Sequence, residues 1–206
     1  MSTPDQILDA ASYFSILERS ASNLAWDQVD AIAGILNDAY SEDKTTFLFG
    51  NGGSAALASH FACDLSKGTW IRNNGQKRFR AIALTDNLPV LTAWANDSSY
   101  EDVFSEQLRG AVQKGDVAFA ISCSGNSPNV LRGLEVAREA GAITVGLTGF
   151  EGGLMKGLCD MALVIPSDNM QIIEDLHLSV AHCLFTLVRN RIALGNVTKA
   201  VAARAS

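Results

Sequence analysis

From Thr45 onward the apolar residues fall into short runs, each closed by glycine, serine, threonine or aspartate: TTFLFG, RAIALTD, VAFAISCSG, ITVGLTG and ALVIPSD. Apolar runs of this length between turn residues predict five strands. The segments between them change to helical spacing around Ala55–Ser66, Pro89–Asn96, Val103–Val112, Pro128–Ala140 and Gly153–Leu158. Strand alternating with helix is the pattern of a parallel sheet covered on both faces. Two helices are predicted ahead of the sheet, from Ile7, Ala11, Phe14 and Leu17 and then from Val29, Ile32, Ile35 and Leu36. Behind it, Ile172–Leu194 carries Ile173, Leu176, Val180, Leu184 and Leu187 on one side, a helix long enough to meet a partner subunit as well as its own core. The expected fold is α/β: a three-layer, doubly wound, parallel five-stranded sheet with N-terminal helices and a long C-terminal helix. One domain spans 1–206, divided into helices over 1–44, the core and last helix over 45–194 and a tail over 195–206. Lys67–Arg80, with Asn73, Asn74 and Gly75, reads as the single long loop.

Composition narrows the partners. A chain of 206 residues suits one medium domain with a substantial core, and 48% of it is apolar. The net charge of −6 comes from scattered acidic residues, which disfavours nucleic acid and acidic membrane surfaces. The apolar runs fall far short of the roughly 20 residues that span a bilayer, and MSTPDQILDAAS lacks a basic start followed by an apolar stretch, so a cytoplasmic location is expected. Cys63, Cys123, Cys159 and Cys183 are widely separated and form no CxxC, so neither a disulfide framework nor a thiolate zinc site is indicated.

Two strand ends carry candidate chemistry. GNGGS at Gly50–Ser54 has glycines that allow a tight turn and close approach to a ligand, with Ser54 able to cap the next helix. SCSGNS at Ser122–Ser127 gathers the hydroxyls of Ser122, Ser124 and Ser127, and Ser127-Pro128 is a strong helix start. Loops leading from parallel strands into helix N-termini suit anions, so both are read as phosphate-holding. Their spacing matches neither GxGxxG nor a Walker loop, which disfavours dinucleotides and nucleoside triphosphates. The three histidines lie in two helical segments. His60 and Asp64 are four apart and share a helix face. Glu174, His177 and His182 lie on the last helix, with Glu174 and His182 about 12 Å apart along its axis, so both reach one small site only where one extends far or a neighbouring chain contributes, which points to a composite site between subunits. His177 reads as a structural histidine.

GNGGS with HFACDL, then LTAWANDSSYEDVF, ISCSGNSPNVL, GLTGFEGG and EDLHLSVAH, resembles the sugar isomerase (SIS) domain family, in its phosphoheptose isomerase branch, over about Phe47 to Leu187. The resemblance implies sugar-phosphate contacts from Asn51, Gly52, Gly53, Asn96, Asp97, Ser122, Cys123, Ser124 and Ser127, to which the reading of the GNGGS loop adds Ser54. It also implies a zinc set at His60, Asp64, Glu174 and His182, and a homotetramer with sites at subunit contacts. Asp64 stands where the family has glutamate, Glu174 where it has glutamine, and Cys123 where threonine is usual, so only the backbone contact of Cys123 carries over. Two histidines and two carboxylates still suit zinc. The expected reaction is aldose–ketose isomerisation of sedoheptulose 7-phosphate through an enediol, with Glu174 or Asp64 as base, His182 as acid and zinc on the carbonyl. The alternatives are a non-catalytic SIS module that binds a sugar phosphate or scaffolds a complex, and an isomerase of another sugar phosphate.

Overall fold

The apolar runs form strands β1 (Thr45–Gly50), β2 (Arg80–Ala83), β3 (Val117–Ile121), β4 (Ile143–Thr148) and β5 (Met161–Val164). They make one sheet in the order β2-β1-β3-β4-β5, every pairing parallel. The computed structural model describes residues 7–71 and 76–205, with side chains as far as 195. Every residue of β1 and β3 is buried, which explains why these strands read as unbroken apolar runs and do not alternate with polar residues.

Successive side chains point to opposite faces, and the two faces hold separate cores. On one face Leu48, Val117, Phe119, Ile121, Val145 and Leu147 pack against α1 (Ala10–Ser22), α2 (Trp26–Ser41), α3 (Gly53–Cys63) and α8 (Met170–Ala205). On the other face Phe47, Phe49, Ala118 and Ala120 meet α5 (Ser105–Arg109), α6 (Pro128–Glu139) and α7 (Met155–Leu158). Each fully buried Leu, Ile or Phe contributes roughly 1.5–3 kcal/mol of transfer free energy, so the three-layer arrangement follows from burying both faces at once. The helix α4 (Leu88–Asp97) differs, because none of its residues is buried.

Element bounds depart from the sequence reading in four places. The third helix begins at Gly53, and after Cys63 it widens into a π-helical turn over Asp64–Gly68. The fifth shortens to Ser105–Arg109, and the seventh starts only at Met155, because residues 152 and 153 turn back onto the SCSGNS loop. The last helix runs from Met170 to Ala205, so the segment read as a tail continues it. Asn73, Asn74 and Gly75 of the long loop lie outside the described residues. The ends of that loop are joined where Gln76 Nε2 donates to the Thr69 carbonyl at 2.8 Å. No helix among the described residues is long and apolar enough to cross a membrane.

Candidate functional site

The chain winds from β1 outward to β2, then returns to β3 and proceeds the opposite way through β4 and β5. The crevice beyond the carboxyl ends of β1 and β3 is therefore the topological switch point, where open α/β sheets bind ligands. Gly50 pairs with Ile121 in the register, so GNGGS and SCSGNS leave the sheet side by side. Between them lies a hollow of about 160 Å³ lined by Asn51, Ser54, Ser122, Cys123, Ser124, Ser127 and Glu174, with Ile121 and Met170 beside them. None of these is lysine or arginine, so a phosphate here would rest on hydroxyls, amides and helix dipoles.

The hydroxyls are placed differently from the capping roles expected of them. Gly52 is the N-cap of α3 and Ser54 lies inside its first turn, buried. Ser127 does cap α6 by position, with Pro128 following, but its side chain makes no cap bond. Its Oγ instead lies 3.3 Å from Ser122 Oγ, turned into the hollow's wall. Ser124 Oγ accepts from the Asn126 amide at 3.2 Å, and Asn126 Oδ1 in turn accepts from Leu154 N at 2.9 Å. Burial raises the Cys123 thiol pKa, with the nearby charge of Glu174 adding to it, so the thiol stays protonated at neutral pH.

At the other end of the site α3 and α8 cross. His60 Nε2 lies 3.0 Å from His182 Nε2 and 3.3 Å from Asp64 Oδ2, and His182 Nε2 lies 4.0 Å from the same oxygen. One chain thus gathers two imidazoles and a carboxylate whose ligand atoms all fall within 4.8 Å of one another, a set able to hold a metal ion. Both histidines are half exposed, so the set opens to the surface. Glu174, expected as a fourth member of the zinc set, is not in this trio, and lies two turns from His182 along α8.

Glu174 instead occupies the ground between the two ends. A second hollow of about 320 Å³ runs from Gly53 and Ser54 past Glu174, Asp175 and His177 to His60, and shares Ser54 and Glu174 with the loop hollow. The carboxylate packs on the bare backbone of Gly53, where a Cβ would meet Oε1 at 3.0 Å and Oε2 at 3.3 Å. Gly53→Ala is therefore expected to fold normally yet move that carboxylate. Turnover should fall by several-fold to about tenfold, less than the roughly hundredfold of a full ångström, because the carboxylate has to give by a few tenths of an ångström, while the melting temperature stays near that of the parent protein. Steady-state kinetics beside a thermal melt check both halves.

His177 is buried, and that burial holds its pKa down at about 4, so the ring is neutral at ordinary pH. Its Nε2 lies 3.2 Å from the Thr148 carbonyl, to which a neutral ring donates, and Thr148 Oγ1 donates to the Cys123 carbonyl at 3.2 Å. This is a structural placement beneath the SCSGNS loop.

Asn96 and Asp97 are not brought to either hollow. They end α4, exposed, with Asn96 Nδ2 donating to Asp97 Oδ1 at 2.8 Å. Two residues missing from the sequence reading do touch the loops. Asn129 exchanges two amide bonds with Asn51, and Tyr100 donates to Asn51 Oδ1 at 3.0 Å. Both lie in stretches singled out above, SCSGNSPNVL and LTAWANDSSYEDVF, but their pairing spans distant parts of the chain and leaves no local signal.

A switch-point crevice holding two hydroxyl- and glycine-rich loops, with a histidine–carboxylate cluster beside it, defines an α/β protein built to take a phosphorylated small molecule. The SIS domain model matches residues 11–149. A probable phosphoheptose isomerase of Thermoplasma acidophilum is 39% identical over 181 residues, covering 88% of this chain and 98% of that protein. A phosphoheptose isomerase of Trichlorobacter lovleyi is 40% identical over 160 residues, 78% and 80% of the two chains. The solved phosphoheptose isomerase of Neisseria gonorrhoeae superposes with a TM-score of 0.80 at 30% identity, covering 87% and 96%. The chain belongs to the SIS domain family, in the group of its phosphoheptose isomerases.

Proposed function

We propose that this protein is an aldose–ketose isomerase that interconverts sedoheptulose 7-phosphate and D-glycero-D-manno-heptose 7-phosphate. The observation that carries the reading is Glu174, which lines both the loop hollow and the hollow leading to His60, so one carboxylate faces the phosphate end and the reactive end of a bound sugar. With the phosphate on the GNGGS and SCSGNS loops, Glu174 removes the proton from C1 of the ketose. The O1 hydroxyl and the C2 carbonyl become an enediol, and return of a proton to C2 with loss of the O1 proton gives the aldehyde at C1. Asp64 is the less suitable base, since it is turned to both imidazoles.

His60, Asp64 and His182 would hold a zinc ion. Zinc bound tetrahedrally by nitrogen and oxygen sets its ligand atoms roughly 3.3 Å apart, and the separations of 3.0, 3.3 and 4.0 Å lie around that value. When bound, such an ion supplies polarisation of the sugar's carbonyl. Without one, the two Nε2 atoms share a proton, and His182 would deliver it to the sugar by way of His60, which lines the larger hollow, so acid and ligand are alternative uses of the same atoms. The reading extends to a cytoplasmic homotetramer serving heptose biosynthesis for lipopolysaccharide or capsule. An assembly is supported by α4, which packs Leu91 and Ala95 only partly against its own chain, and by the apolar groove where Phe14 and Trp26 lie exposed beside α8.

The test is incubation of metal-replete and chelated protein with sedoheptulose 7-phosphate in deuterated water. Deuterium at C2 of the aldose is expected in the replete sample, and loss of it on chelation assigns the trio to metal. Equal rates in both samples assign the trio to proton transfer. No deuterium with this or any other ketose phosphate would leave only a binding module.

A further inference from the structure

Asn51 sits at the root of the GNGGS loop, and its side chain is largely committed within the protein. The Val130 amide donates to Asn129 Oδ1 at 3.0 Å, and because an amide N–H can only donate, this bond fixes which way the Asn129 carboxamide points. Asn129 Nδ2 then donates to Asn51 Oδ1 at 2.8 Å, and Asn51 Nδ2 donates back to Asn129 Oδ1 at 2.9 Å. Tyr100 OH takes the second lone pair of Asn51 Oδ1 at 3.0 Å. One Nδ2 proton remains, on a residue that lines the loop hollow. The three bonds join the first turn of α6 and the Tyr100 segment to the GNGGS loop.

Tyr100 is itself held in place. It opens a short 3₁₀ turn, Tyr100–Asp102, whose last residue accepts from Ser98 Oγ at 2.7 Å, Ser99 Oγ at 2.8 Å and Arg132 Nη1 at 2.6 Å. These hydrogen bonds hold the Asp102 carboxyl down at about 2, so the turn stays pinned to α6 throughout the working pH range. The Tyr100 ring is 56% exposed and packs in neither core, so its hydroxyl serves the loop and not the fold.

We propose that Tyr100 is a positioning residue for the sugar phosphate: through Asn51 it sets the GNGGS loop in register with SCSGNS, so that the free Asn51 N–H and the loop amides meet the ligand together. The inference rests on the phosphosugar reading above, and its test keeps the two apart. Tyr100→Phe removes the hydroxyl and keeps the ring, and Tyr40→Phe, which removes a hydroxyl bonded to the Lys77 carbonyl far from the loops, is the control. The expected result is a rise in KM for sedoheptulose 7-phosphate, and a matching loss of affinity for inorganic phosphate by calorimetry, of roughly three- to tenfold, the size of one neutral hydrogen bond. The kcat should stay within about twofold and the melting temperature within a degree or two of the parent, since an exposed hydroxyl carries little stability. Unchanged KM and phosphate affinity in Tyr100→Phe would overturn the inference, as would an equal loss in Tyr40→Phe or a fall in melting temperature that accounts for the loss. If the parent protein neither turns over the sugar nor binds phosphate, the phosphosugar reading itself fails and takes this inference with it.

Discussion

Glu174→Gln is expected to lower turnover of sedoheptulose 7-phosphate by about a thousandfold while leaving its dissociation constant within a few fold. A positioned general base is worth roughly 10²–10⁴ in rate, and the amide keeps the volume and one acceptor of the carboxylate while losing the ability to take a proton. Glu174 packs on Gly53 of the GNGGS loop and borders both hollows, and the isosteric amide keeps that packing, so the loop holds its shape while the charge is removed. Exchange of deuterium into C2 should vanish with turnover, which separates a lost base from a slowed product release. His182→Ala provides the complementary result: turnover lost with phosphate binding kept, and with it any metal bound at the trio, measurable by elemental analysis. Full activity in both variants would remove this mechanism. Full activity in Glu174→Gln together with its loss in Asp64→Asn would transfer the base to α3.

What the sequence disclosed and what it withheld divide along the range of the interactions. The strands are legible because both faces of β1 and β3 are buried, which forces consecutive apolar residues such as Phe47, Leu48 and Phe49. The start of α6 is legible because Ser127-Pro128 is a local steric and capping signal, and the His60–Asp64 contact because i and i+4 share a helix face. Strand order is not written locally. That β1 lies beside β3, which brings the two loops together, depends on the direction in which each crossover helix packs. The same is true of the meeting of His60 with His182. Spacing along α8 separates Glu174 from His182 by two turns, but only the crossing of α3 over α8 decides which of them reaches the imidazole of His60. Asn51 shows a third limit. The family resemblance marks it as a ligand contact, and nothing local tells that Asn129 and Tyr100 take most of its hydrogen-bonding capacity while it still lines the hollow.

The SCSGNS loop owes its shape to an approach of backbone to backbone that only glycine permits, and breaking it should cost both stability and phosphate binding. Gly125 has φ near 63°, and a Cβ there would lie 2.1 Å from the Gly152 carbonyl oxygen and 2.9 Å from Thr148 Oγ1. Across the gap, a Cβ on Gly153 would lie 2.4 Å from the Ser124 carbonyl oxygen, so neither side of the contact can carry a side chain. The Gly125 carbonyl accepts from Met155 N at 3.0 Å, and the Cys123 carbonyl accepts from Gly149 N at 2.9 Å, which ties the loop to the turn after β4. In Gly125→Ala the left-handed conformation alone costs about 1–2 kcal/mol, and the clash meets main chain, which cannot rotate away. A total of roughly 3 kcal/mol or more is expected, which for a domain of this size is a drop of about 6–12 °C in melting temperature. Opening the turn also separates Ser124 and Ser127 from the GNGGS loop, so phosphate affinity should fall more than tenfold even well below the melting point. Gly157→Ala, where a Cβ meets nothing within 4 Å, is the matched control and should change neither quantity. A Gly125→Ala protein that melts and binds like its parent would show that the two loops do not depend on this contact. Loss of phosphate affinity with the melting temperature kept would place the contact in the service of binding alone.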